Sequence, residues 1–221
     1  ESIFEDFQHL FNKSARIFVG FSGGMDSTVL LHLTCKYLTP SLVTALHVNH
    51  GISSEADLWE QHAEQQGLEL SVNFEAYRVS CLARSNREAL AREARYAVFE
   101  QRLAQDDILL LAHHADDQVE TVLYNLLRGS GSTGMSGIPV MRDLGIGRIL
   151  RPLLSVTKSQ IKRYAKTHQL TWIEDESNSD TSFDRNYLRQ KVIPLLAERW
   201  RGHQSRIGLT ASQSKNDRLL A

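Results

Sequence analysis

The feature that most limits how this chain can fold is the stretch Phe21-Ser22-Gly23-Gly24-Met25-Asp26-Ser27-Thr28. Residues 15–21 form an apolar, β-branched run that predicts a buried strand. Val29, Leu30, Leu31 and Leu33 predict the apolar side of a helix that runs to about residue 38. The glycines therefore mark a strand-to-helix turn. Lacking a Cβ, they let the backbone turn tightly and approach a ligand closely. A helix start presents unpaired N–H groups and the positive end of the helix dipole, which suits a phosphate. Ser22 and Ser27 add hydroxyl donors. The carboxylate of Asp26 would repel a phosphate unless a cation sits between them, and Mg²⁺ is the natural candidate. The stretch has no G-K-[ST] ending, so it is not a Walker A loop.

Beyond this turn the chain alternates. Residues 42–48 read as a second strand and 54–66 as a helix with Gly67 as its stop. Residues 68–74 read as a strand, 86–104 as a long helix, 107–112 as a strand buried on both faces, and 115–128 as a helix. This order predicts an α/β fold, a Rossmann-like doubly wound parallel sheet with helices on both faces and ligands at the carboxyl ends of the strands. Gly129 to Gly134 spell G-x-G-x-x-G, but after a helix rather than a strand, so 129–137 read as a mobile loop or lid. Thr157 caps a helix to about residue 168, 174–184 form an acidic loop, and a last helix starts near residue 186 and passes Pro194. Residues 1–200 read as one domain and 201–221 as a helical connector.

Composition fits a soluble chain, at 42% hydrophobic and 23% charged residues. The clearest apolar run, 108–112, is too short to cross a membrane, and the acidic start lacks the basic region of a secretory signal. Cys35 and Cys81 form no C-x-x-C, which suits reduced thiols in the cytoplasm. A net charge of −1 argues against a generally basic nucleic-acid binder and leaves a local basic face open.

Three clusters could carry chemistry. His47 and His50 lie at the end of the second strand, where contact with a nucleotide or metal competes evenly with a structural role. His113 precedes a helix whose first turns carry Asp117 and Glu120 on one face. Helix capping explains one acidic residue there, but the set His113, Asp117 and Glu120 favours function. Arg92 and Arg95, with Glu88, share a face of the long helix, and Arg185 and Arg189 flank a later helix start. Either pair suits phosphates of ATP or RNA, and either suits a solvated face.

The stretch Ser22 to Ser27 resembles, residue for residue, the S-G-G-x-D-S signature of the PP-loop ATP pyrophosphatases. With it come, in order, residues 47–51 (HVNHG), 91–96 (AREARY), 112–121 (AHHADDQVET), 151–154 (RPLL), 174–178 (EDESN) and 185–189 (RNYLR). Together these resemble the tRNA(Ile)-lysidine synthetase family. The resemblance implies ATP and Mg²⁺ as cofactors, with L-lysine and a CAU-anticodon tRNA(Ile) as partners. It implies that ATP adenylates the C2 oxygen of the wobble cytidine and that lysine then displaces AMP, giving lysidine. Ser22, Gly23, Gly24, Met25, Asp26, Ser27 and His47 would hold the nucleotide, with Asp26 also on the metal. Asp26, His113, Asp117, Glu120, Arg92, Arg95, Arg185 and Arg189 would form the catalytic set. A cytoplasmic location and no membrane are expected, and a homodimer stays open. Family members usually continue into C-terminal domains that help grip the tRNA, so 201–221 would lead toward such a region. The rival readings are a tRNA thiolase of the same superfamily, which calls for sulfur-handling cysteines, and a non-catalytic adenine-nucleotide module.

Overall fold

The computed structural model describes residues 2–51, 53–80, 87–174 and 180–220. They divide into two compact units. The first holds Glu1–Ala112, Met141–Pro152 and Ile161–Ile173, and the second holds His113–Val140, Leu153–Gln160 and Glu174–Ala221.

The first unit is built on one sheet. Its strands are β1 (Ile17–Gly20), β2 (Val43–Asn49), β3 (Asn73–Arg78), β4 (Ile108–Leu110), β5 (Met141–Leu144) and β6 (Gly147–Leu150), in the order β3-β2-β1-β4-β6-β5. All neighbours pair parallel except β5, which lies antiparallel to β6 at one edge. Five helices belong here: α1 (Ser2–Glu5), α2 (Gln8–Phe11), α3 (Met25–Tyr37), α4 (Ala56–Glu69) and α5 (Arg87–Arg102). The expected mostly parallel α/β architecture is what the chain adopts.

The apolar strands explain why. Along a strand, alternate side chains point to opposite faces. Phe18, Leu46, Leu109 and Ile149 pack with Phe99 of α5 and Leu103 just after it. The alternating set, Val19, Ala45, Leu110 and Leu150, is equally buried. Both faces of the sheet are thus covered, the condition under which parallel strands read as continuous apolar runs.

One local expectation fails, and one hairpin went unread in the sequence. Gly67 does not end the helix; α4 continues through it to Glu69, and Ser71 at φ +56° makes the left-handed stop. Gly67 instead lets α4 sit close to β3, since a Cβ there would lie 3.4 Å from Phe74. The strand accordingly begins at Asn73 rather than near residue 68. The second miss is the β5–β6 hairpin, closed by the two-residue turn Gly145-Ile146 with Gly145 at φ +55°. β5 is exposed at three of its four residues, so it shows no alternating pattern to read.

At the opposite end of the strands, Asp107 is fully buried. It accepts from Arg16 at 2.6 and 3.2 Å and from the Ala104 N–H at 2.7 Å.

The second unit is helical: α6 (Ala115–Leu127), α7 (Ser132–Met135), the start of α8 (Lys158–Thr167), α9 (Asp184–Tyr187), α10 (Ile193–Arg199) and α11 (His203–Leu220). α8 begins in this unit and continues in the first. A π turn, Leu188–Val192, joins α9 to α10, and Pro194 sits in the first turn of α10, where its missing N–H costs no helical bond. α11 packs on α6 and α7. Asp116 ties this unit together: one oxygen accepts from the first N–H of α8 at 2.8 Å, the other from Gln204 at 2.7 Å. No helix among the described residues is long and apolar enough to cross a membrane.

Asp107→Ala removes a buried charge that satisfies three donors. We expect it to lower unfolding free energy by about 3 kcal/mol in denaturant titration.

Candidate active site

Strand β1 ends at Gly20, and the chain then turns through Ser22-Gly23-Gly24 into α3. Gly23 adopts φ +80°, a left-handed conformation that suits glycine alone at little cost. The turn is closed by its own hydroxyls. Ser27 Oγ accepts from the Ser22 N–H at 3.2 Å and donates to the Gly24 carbonyl at 3.0 Å. Ser22 Oγ accepts from the Gly24 N–H at 3.3 Å. Gly24 is the N-cap of α3 and has no side chain with which to cap it, an arrangement that suits a ligand at the helix start. Ser22 is exposed, and Met25 and Asp26 are half-buried.

Two supports hold this turn, and the first was not apparent in the sequence. The N–H of Ile173 donates to the Gly23 carbonyl at 2.9 Å, and Gly24 and Ile173 form a parallel bridge. A Cβ on Gly23 would lie 3.2 Å from Ile173 Cδ1. The second support is His47. It is buried in β2, and its Nδ1 lies 2.9 Å from the Phe21 carbonyl, the residue that enters the turn. Burial holds its imidazole below the ordinary histidine range.

His50 follows β2. Among the described residues, its Nδ1 is buried without a hydrogen-bond partner. Burial, the Arg95 guanidinium and His47 push its pKa down to about 4. Arg95 is thus placed near His50. Arg92, one helical turn earlier on α5, is exposed and directs its guanidinium at Tyr96 instead.

In the second unit, α6 opens with a capping box. His114 Nδ1 accepts from the Asp117 N–H at 3.4 Å, and Asp117 Oδ2 accepts from the His114 N–H at 2.9 Å. His113, just before the cap, is half-buried. One turn on, Glu120 is 2% exposed and sits between two guanidiniums. Arg185 donates to its Oε1 at 3.2 Å, and Arg189 approaches its Oε2 at 2.7 Å. Arg189 also stands 3.8 Å from Asp117. Burial pushes the Glu120 carboxyl up, while the two arginines pull it down. The structure therefore brings Asp117, Glu120, Arg185 and Arg189 together in one unit, and in the other it brings His47 to the Ser22–Ser27 turn and Arg95 near His50. The side chain of Glu88, Cys81 and most of the acidic loop (175–179) lie outside the described residues.

The donor set bears on a metal. Among the described residues, no three His, Cys, Asp or Glu gather as a metal site. Mg²⁺ is commonly held by one or two carboxylates with substrate phosphates completing its shell. Asp26, on the first turn of α3 beside its glycine N-cap, is the carboxylate so placed.

Comparison with known proteins decides the family. The model of a PP-loop domain matches residues 1–196. The chain belongs to the PP-loop domain family. Within it, the chain is 45% identical over 200 residues to a tRNA(Ile)-lysidine synthase of Legionella pneumophila, covering 89% of this chain and 46% of that protein. It is 47% identical over 185 residues to one of Pseudomonas fluorescens, covering 82% and 42%. The chain thus spans less than half the length of these relatives. In fold, this PP-loop protein is similar to the U34-tRNA thiolase NcsA of Methanococcus maripaludis, with a TM-score of 0.74 and 15% identity over 96% of this chain and 78% of that one. It is also similar to the NH3-dependent NAD synthetase of Campylobacter jejuni, with a TM-score of 0.53 and 16% identity over 96% and 91%. The PP-loop domain supports use of ATP by this chain.

Gly23→Ala forces a Cβ into left-handed backbone and against Ile173. We expect about 1–2 kcal/mol of lost stability and ATP affinity reduced at least about tenfold, read by calorimetric titration.

His50 gives a pH signature. Its folded pKa lies below its ordinary value, so its contribution to stability is complete above pH 6.5 and is lost as pH falls toward about 4. His50→Gln should flatten the fall in stability between pH 6.5 and 5, measured by denaturation at several pH values.

Proposed function

We propose that this chain carries the catalytic chemistry of a tRNA(Ile)-lysidine synthase. The observation behind this reading is the identity of 45% and 47%, over most of the chain, to proteins of that name. The uncapped, glycine-turned start of α3 agrees with it, because such a start suits a triphosphate.

The reaction has two steps. The C2 oxygen of the wobble cytidine attacks the α-phosphorus of ATP, and the bond from that phosphorus to pyrophosphate breaks. The lysine ε-amine then attacks C2, and the C2–O bond breaks to release AMP. Ser22, Gly23, Gly24, Met25 and Ser27 would hold the phosphates at the helix start, with Asp26 holding Mg²⁺. When bound, the metal neutralises phosphate charge. His47 would act by fixing the entry to the turn through the Phe21 carbonyl. Arg92 and Arg95 would stand beside the nucleotide or the RNA.

The amine sets the second problem. Its pKa is near 10.4, so presenting it neutral at pH 7 costs roughly 4–5 kcal/mol. A carboxylate that binds the ammonium and accepts its proton as attack begins meets this cost. We assign that role to Asp117, which is partly exposed. Glu120, gripped by Arg185 and Arg189, would chiefly fix the positions of those two cations. His113, beside the cap, would contact the same intermediate.

The thiolase reading has only a likeness of fold behind it. Cys35 is half-buried, and burial pushes its thiol up to about 11, away from the reactive thiolate.

The test of the function is mass analysis of nucleosides after incubation with ATP, lysine and CAU-anticodon isoleucine tRNA. Lysidine is expected; a thiolated base or unmodified cytidine would refute the reading. For the carboxylate, Asp117→Asn keeps a capping oxygen and removes the charge. The lysine KM should rise at least about tenfold with the melting temperature little changed.

A further inference from the structure

The Ser22–Ser27 turn leans on a segment from far along the chain, residues 168–173, and that segment is itself held at both ends. It leaves α8 through a left-handed residue, Gln169 at φ +53°. The Gln169 N–H donates to the Lys166 carbonyl at 3.1 Å, and the Leu170 N–H donates to the Ala165 carbonyl at 2.9 Å. This is the paired bonding of a Schellman stop, which turns the chain away from the helix. At the same end of α8, the rings of Tyr164 and His168 lie 4.2 Å apart, and the Tyr164 hydroxyl lies 2.9 Å from His32 Nδ1 on α3. The segment therefore starts from a fixed point on the helix that the turn opens.

Its far end is met by α4. Ala63 and Gln66 are three positions apart on that helix, so they share a face, and both are buried. Ala63 Cβ lies 4.0 Å from where a Cβ on Gly23 would stand. Gln66 Nε2 donates to the Thr171 carbonyl at 2.5 Å, with a longer contact to the Thr171 hydroxyl at 3.4 Å. Two residues on, the Ile173 N–H donates to the Gly23 carbonyl, and Ile173 bridges Gly24. All of these residues belong to the first unit.

Thr171 meets Gln66 mainly through its main chain, and Ile173 meets Gly23 through its main chain. Gln66 is the side chain on which the link hangs. An apolar residue of the same length would cover the same buried face of α4 with no polar group to satisfy. What the amide adds is a hydrogen bond that gives the Thr171 carbonyl one position. With that carbonyl fixed, the Ile173 N–H two residues later has little freedom to leave Gly23.

We propose that Gln66 is a positioning residue of the nucleotide site. Through Thr171 it holds Ile173 in register with Gly23 and so keeps the turn in its ATP-binding form. Gln66 itself touches no phosphate. The proposal rests on the reading of the turn as the ATP site and not on lysidine formation, so its test uses ATP and Mg²⁺ alone.

ATP binding is measured by calorimetric titration for the wild type, Gln66→Met and Gln66→Glu, with circular dichroism and thermal melts to confirm folding. Gln66→Met keeps the bulk and loses the donor. Its ATP affinity should fall about five- to tenfold. Hydrogen exchange of the Ile173 amide should quicken in it, while the amides of β1 keep their protection. Gln66→Glu sets a carboxylate against the Thr171 carbonyl, so its loss of affinity at about pH 7 should be larger. Protonation gives that carboxyl a donor, so its affinity relative to the wild type should recover as pH falls toward about 5. A lowered melting temperature with ATP affinity and the Ile173 amide unchanged would mark a structural role alone and overturn the proposal while leaving the ATP site standing. Absence of ATP binding by the wild type would overturn both.

Discussion

The first unit depends on how one glycine is held. Gly23 takes a backbone conformation that other residues adopt only at a cost. Its carbonyl is fixed by the Ile173 N–H, and the serines on either side lock the turn with their hydroxyls. His47, from the neighbouring strand, secures the carbonyl just before it. These contacts use side chains and carbonyls, and Gly24, the N-cap of α3, has no side chain with which to cap the helix. The turn is therefore rigid and still able to bind, which is what preorganised electrostatic stabilisation requires.

The second unit solves the opposite problem. Here charges are gathered rather than backbone donors. Asp116 and Asp117 adjoin in sequence yet do different work: Asp116 pins α8 and α11, while Asp117 closes the cap of α6 and reaches toward Arg189. Burial raises the Glu120 carboxyl above its ordinary range, and Arg185 and Arg189 counter that only in part. Its grip on two arginines gives them fixed positions. The proton-accepting role in the proposed chemistry goes to Asp117, which is partly exposed.

Much of this was legible in the sequence, for physical reasons. The apolar runs 15–21, 42–48 and 107–112 mark strands buried on both faces, and the glycine turn announces its own strand–helix context. What escaped was structure set by distant partners. Gly67 looks like a helix stop until Phe74 is seen beside it. β5 is a four-residue edge strand with little buried surface, and pairing with β6 alone makes it a strand. Ile173 supports the turn through its backbone, which no side-chain pattern reveals. Gln66 and Thr171 are 105 positions apart, so only the folded chain shows them joined.

The account turns on which phosphorus of ATP is attacked. The decisive measurement is the product of ATP cleavage when the purified chain is given ATP, lysine and CAU-anticodon isoleucine tRNA. AMP and pyrophosphate, formed only with the RNA present, are the predicted products. ADP with orthophosphate, or cleavage indifferent to the RNA, would contradict it.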